Sequence, residues 1–150
     1  AGTFYATYVL EGATLLNNFA RDQGGAIQLD DHASLVTTDS RIDGSVCQGF
    51  GGAISAIGGA SVRLQEGTVV SGSTAQVSGG AVSLTSDSSL ETTGTIFEAN
   101  EVTVGRSECE IPPCGGGAIR AGDLTTIKLG VGTVLLGNRA NIGGGLLLSE

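Results

Sequence analysis

The chain has 150 residues, 26 of them glycine, with seven basic against fifteen acidic side chains and a formal charge of −8. Scattered cations in an acidic background cannot supply the clustered Lys and Arg that displace phosphate counterions, so no nucleic-acid partner is expected. No apolar run nears the ~20 residues that cross a bilayer, so no membrane span is expected in this segment. With six aromatics and neither Met nor Trp, the core has to come from Val, Ile, Leu and Ala. Glycine costs a helix ~1 kcal/mol per position relative to alanine, which leaves an all-β chain as the expectation.

In chain order, the first apolar station is Tyr8. It is followed by Leu15…Asn18…Ala20, by Gly24-Gly25-Ala26-Ile27 and by the polar turn Asp30-Asp31-His32. The same succession returns as Leu35, Ile42…Ser45…Cys47, Gly51-Gly52-Ala53-Ile54 and Gly58-Gly59. A third pass reads Val62, Val70…Ser73…Ala75, Gly79-Gly80-Ala81-Val82 and Ser86-Asp87. The fourth reads Leu90, Phe97…Asn100…Val102, Gly116-Gly117-Ala118-Ile119 and Gly122-Asp123. The fifth closes with Ile127, Leu135…Asn138…Ala140 and Gly143-Gly144-Gly145-Leu146. The glycine pairs lie 27, 28, 37 and 27 residues apart, and the Asn/Ser stations 27, 28, 27 and 38. Columns that repeat in step define a period of ~27 residues, with about ten inserted in one interval.

Within each period, runs such as Ile27-Gln28-Leu29, Val62-Arg63-Leu64 and Thr95-Ile96-Phe97 alternate with period two, as strands do. Three strands and three turns per period predict one coil of a parallel β-helix. The chain is then a single all-β domain over 1–150, a right-handed β-solenoid of about five coils. Stacking places Leu15, Ile42, Val70, Phe97 and Leu135 in an interior ladder. Asn18, Ser45, Ser73, Asn100 and Asn138 fall at a corner, where amides and hydroxyls can satisfy turn backbone and bond to the neighbouring coil. The pairs Gly24-Gly25, Gly51-Gly52, Gly79-Gly80, Gly116-Gly117 and Gly143-Gly144 mark a bend whose dihedrals or crowding exclude a Cβ.

These paired signatures, Gly-Gly-Ala-Ile and Phe-x-x-Asn, resemble the repeats of the polymorphic outer membrane protein family, known from chlamydial autotransporter adhesins. The glycine signature stands at Gly24–Ile27, Gly51–Ile54, Gly79–Val82 and Gly116–Ile119, and more loosely at Gly143–Leu146; the full Phe-x-x-Asn form occurs at Phe97…Asn100 alone. The resemblance covers nearly the whole chain. It implies a right-handed parallel β-helix and adhesion at a cell surface.

The remaining residues offer little chemistry. Cys109 and Cys114 bracket a Cys-x4-Cys stretch with the only two prolines, which reads as an inserted loop over 105–115 closed by a disulfide; that implies an oxidising, extracellular setting. Cys47 shares a column with Ala20, Ala75, Val102 and Ala140 and reads as a buried small residue. The single histidine, His32, stands in a polar turn, and Lys128 alternates outward beside Ile127 and Leu129. Asp87 and Asp123 form the nearest carboxylate stack, interrupted by Gly58-Gly59. Thr37-Thr38, Thr92-Thr93 and Thr125-Thr126 suggest an outward threonine file that Val62-Arg63-Leu64 breaks. No catalytic residue, metal ligand or cofactor is expected. The expectation is a non-enzymatic extracellular stalk or fibre segment, partnered by like subunits or further coils at both ends and by a cell-surface receptor or glycan. A carbohydrate-active β-helix enzyme is the alternative from another class. Neither end shows a polar cap, so the chain reads as an internal segment of a longer solenoid or as a stacking unit.

Overall fold

A computed structural model of the chain describes residues 5–104 and 114–149. Every strand pair among them is parallel, and no described residue is helical. Alternating apolar residues make short strands, glycine and polar residues turn the chain between them, and the strands of successive coils pair side by side. The first sheet aligns Thr7–Glu11, Ser34–Thr38, Ser61–Leu64, Ser89–Thr92 and Thr126–Leu129. The second aligns Thr14–Leu16, Arg41–Asp43, Val69–Ser71, Ile96–Glu98 and Val134–Leu136. Two-residue strands make the third: Phe19–Ala20, Val46–Cys47, Thr74–Ala75 and Glu101–Val102, continued by a bridge from Glu101 to Arg139. The fourth aligns Ile27–Leu29, Ile54–Ala56, Val82–Leu84, Ile119–Ala121 and Leu146–Leu148.

The result is a β-solenoid of about five coils of ~27 residues, with one correction to the expected cross-section. Each of the first four coils carries four strands where three were expected, and the fifth carries three and a bridge, because the residues just after the Asn/Ser station pair as the third sheet. The register matches the sequence columns residue for residue. Leu15 pairs with Ile42, Ile42 with Val70, Val70 with Phe97 and Phe97 with Leu135. The inserted stretch lies between Val102 and Ile119, and the fourth sheet resumes its pairing directly, Val82 with Ile119 and Ile119 with Leu146.

The core runs along the axis. Ile42, Val70 and Phe97 are completely buried, as are Ile54, Val82 and Ile119 of the fourth sheet. Burial of this apolar surface at ~25 cal/mol per Å² is the main favourable contribution to folding. The corner joining the fourth sheet to the first uses two consecutive residues of positive φ: Asp31 and His32 (47° and 63°), Gly58 and Gly59, Ser86 and Asp87, and Asp123 and Leu124. Such pairs make the tightest reversal, and short polar residues tolerate them better than Leu124 does.

Candidate functional site

The Asn/Ser column is a hydrogen-bonded ladder in the fourth and fifth coils. Asn100, fully buried, accepts the Ser73 N–H at 3.0 Å through Oδ1 and donates from Nδ2 to Val70 O at 2.9 Å. Asn138 repeats the pattern one coil later, accepting Asn100 N–H at 3.0 Å and donating to Phe97 O at 2.9 Å. Asn100 Nδ2 also lies 3.0 Å from Asn138 Oδ1, linking the two amides. The ladder expected through all five stations fails at the serines. At these stations a hydroxyl does not reach the preceding coil: Ser73 Oγ bonds Ser71 O of its own coil at 3.3 Å, and Ser45 Oγ is buried without a partner. Asn18 Nδ2 is likewise buried and unpartnered.

Each glycine of the repeated pair is needed for a different reason. The first, as at Gly51 with φ +70°, is left-handed, and a Cβ there would fall on the carbonyl of Ile54. The second has an ordinary φ but no room. A Cβ at Gly25 would fall on Gly52 O, one at Gly52 on Gly80 O, one at Gly80 on Gly117 O and one at Gly117 on Gly144 O. Dihedral and crowding thus act on adjacent residues. At Gly144 the nearest atom to an added Cβ is Asn138 O at 3.2 Å.

Sequence reasoning missed a second polar corner, between the first and second sheets. Ser40 Oγ donates to Thr38 O and Leu10 O at 2.9 and 3.2 Å and accepts Ala13 N–H; Thr95 Oγ1 donates to Leu64 O at 2.8 Å. Where this turn is one residue longer, the hydroxyls pair instead, Thr37 with Thr68 at 3.0 Å and Thr92 with Thr133 at 2.8 Å. Thr37 and Thr92 are therefore completely buried, and the suggested outward threonine file does not form through them.

The charged residues lie on the sides. Glu91 bonds Lys128 Nζ at 2.7 Å and faces Arg63 Nε at 3.6 Å; chiefly the Lys128 hydrogen bond holds its carboxyl below the usual range. Asp43 accepts from Ser71 Oγ at 2.7 Å and from Arg41 at 3.0 Å, the Ser71 bond being the larger cause of its lowered pKa. Asp87 and Asp123 do not stack: they occupy successive positions of neighbouring turns, and Asp87 N–H bonds Asp123 O at 3.2 Å. His32 is exposed with its ring 5.0 Å from that of Tyr5. Arg120 stands outward between Ser83 and Leu147; burial lowers its pKa, and its Nε is buried without a partner. Cys47 is buried, and burial pushes its thiol up. Of the expected pair Cys109–Cys114, Cys109 lies outside the described residues and Cys114 is buried. Among the described residues, no three His, Cys, Asp or Glu are grouped to hold a metal.

The two axial faces differ from the sides. Each sheet ends in an edge strand at the first and last coils. Tyr8, from an interior column, is 54% exposed at one face, and Leu148 is 65% exposed at the other. Compared with known proteins, the chain matches no family model, no curated protein and no solved structure.

Proposed function

We propose that the chain is a non-enzymatic, extracellular β-solenoid that serves as a stalk or fibre segment with an adhesive role. The observation that carries this reading is where the buried polar groups go. Asn100 and Asn138, the Ser40 and Thr95 hydroxyls and the two Thr–Thr pairs all join coil to coil. The polar investment of the fold is in its own length. A hydrolase or lyase of this architecture needs paired carboxylates, or a base beside them, on one face; Asp87 and Asp123 are offset, and His32 packs on Tyr5. The resemblance of the Gly-Gly-Ala-Ile and Phe-x-x-Asn repeats to surface adhesins agrees with this reading. The proposal includes a Cys109–Cys114 disulfide, which alkylation without reductant tests: labelling of neither cysteine is expected, and labelling of both would remove it.

Electron microscopy of concentrated native protein tests the shape, with rods of uniform width expected. Activity on acidic polysaccharides tests the chemistry. Turnover that disappears in Asp87→Ala or Asp123→Ala would establish the carbohydrate-active reading in place of this one.

A further inference from the structure

We infer that the two serine stations of the corner column, Ser45 and Ser73, each bind one buried water molecule, which completes the ladder between the first three coils. Both sites lie within the winding, between coils that are stacked on each other.

Asparagine defines what a station does. Asn100 takes the N–H of Ser73 and gives its amide to Val70 O, three residues before that station. Asn138 takes the N–H of Asn100 and gives its amide to Phe97 O. One coil earlier, the same rule asks Ser73 to serve Ser45 N–H and Ile42 O. One coil earlier again, it asks Ser45 to serve Asn18 N–H and Leu15 O. Neither serine does so, since Ser73 Oγ bonds Ser71 O and Ser45 Oγ has no partner. Among the described residues, neither Asn18 N–H nor Ser45 N–H meets an acceptor. Ile42, Ser45 and Ser73 are completely buried. Buried N–H groups are paired in nearly every folded protein, and with water where no protein atom reaches them.

The coils do not close up around the shorter side chain. Beside each station, the next residue's N–H bonds the station carbonyl one coil back. Val46 N lies 2.8 Å from Asn18 O, Thr74 N 2.8 Å from Ser45 O, Glu101 N 2.9 Å from Ser73 O and Arg139 N 2.8 Å from Asn100 O. The first two steps bring in serine and the last two asparagine, yet the separation is the same. The space filled by an amide at the later steps is thus kept at the earlier ones. An amide shortened to a hydroxyl leaves on the order of one water's share of volume, ~30 Å³.

The polar groups supply the three or so hydrogen bonds that a buried water makes. Between the first and second coils, water accepts Asn18 N–H and the Ser45 hydroxyl and donates to Leu15 O. Between the second and third, it accepts Ser45 N–H and donates to Ile42 O and to Ser73 Oγ, whose own proton is directed to Ser71 O. Each site offers both donors and acceptors and no charge, which selects a small neutral molecule that can act as both.

A high-resolution crystal structure of the 150-residue protein tests this directly. An ordered water is expected within hydrogen-bond distance of Asn18 N and another at Ser45 N. In solution, rotating-frame NMR should show water cross-peaks to the amide protons of Asn18 and Ser45. It should show none to those of Ser73 and Asn100, which asparagine amides cover. Ser45→Asn should add a rung: the new amide displaces the water at Asn18 N, the Asn18 cross-peak is lost, and the melting temperature stays at or above that of wild type. Well-ordered density without water at Asn18 N or at Ser45 N overturns the inference, as does an Asn18 cross-peak that survives Ser45→Asn. A Ser45→Asn protein melting well below wild type also overturns it, because a gap that rejects an amide has no room for water.

Discussion

Replacing Asn100 with leucine is the sharpest probe of the corner ladder. The side chain is completely buried and similar in size to leucine, so little volume changes. What is lost is the acceptor of Ser73 N–H and the donor to Val70 O. A buried N–H left without a partner costs ~1–3 kcal/mol, and a carbonyl losing one of its bonds costs ~0.5–1.5 kcal/mol. The expected loss is therefore about 3 kcal/mol, which in a domain of this size lowers Tm by about 6–12 °C. Asn100→Ser restores the residue found at the second and third stations and should fall between wild type and leucine. Asn100→Asp keeps the acceptor for Ser73 but turns a carboxylate towards Val70 O and Asn138 Oδ1, so it should be worst at neutral pH and recover on acidification. Thermal melts followed by circular dichroism measure all three. A leucine variant melting within about 2 °C of wild type, or an aspartate variant equal to it at neutral pH, would refute the ladder as a source of stability.

Gly80→Ala should unfold the chain or cost several kcal/mol, on the order of an overpacked core site, because the added carbon meets backbone that no rotamer can move; denaturant titration checks it. Phe97→Ala should cost about 3–5 kcal/mol by opening a cavity at the fully buried centre of the interior ladder, read from the urea midpoint. Asp43, whose carboxyl is held below its ordinary 3.8 by Ser71 and then Arg41, contributes stability that is present above that value and lost as pH falls through the folded-state value. Asp43→Asn should accordingly flatten the acid limb of the stability–pH curve, as acid titration of the unfolding midpoint would show.

The axial repeat was legible because identical environments recur at every coil. Leu15, Ile42, Val70, Phe97 and Leu135 face one core, and the glycine pairs meet one steric demand, so periodicity in letters is periodicity in space. The third sheet was not legible, since two-residue strands such as Thr74–Ala75 are too short to show alternation. The hydroxyl corner escaped for another reason. Counted from the registered positions Thr37, Leu64, Thr92 and Leu129, its turn holds three residues before Arg41 and Ile96 but four before Val69 and Val134, so Ser40, Thr68, Thr95 and Thr133 keep no constant distance from the preceding strand. The serine stations looked interchangeable with asparagine as polar letters. The structure separates them by reach, which is a length and not a polarity.

The register across the inserted stretch has a practical corollary. Val82 pairs with Ile119 across 37 residues as faithfully as Ile119 pairs with Leu146 across 27. The register of the winding is thus the same with ten additional residues at that junction as without them. It is a natural splice point for displaying a foreign epitope from a rigid scaffold, with the flanking strands left as they stand.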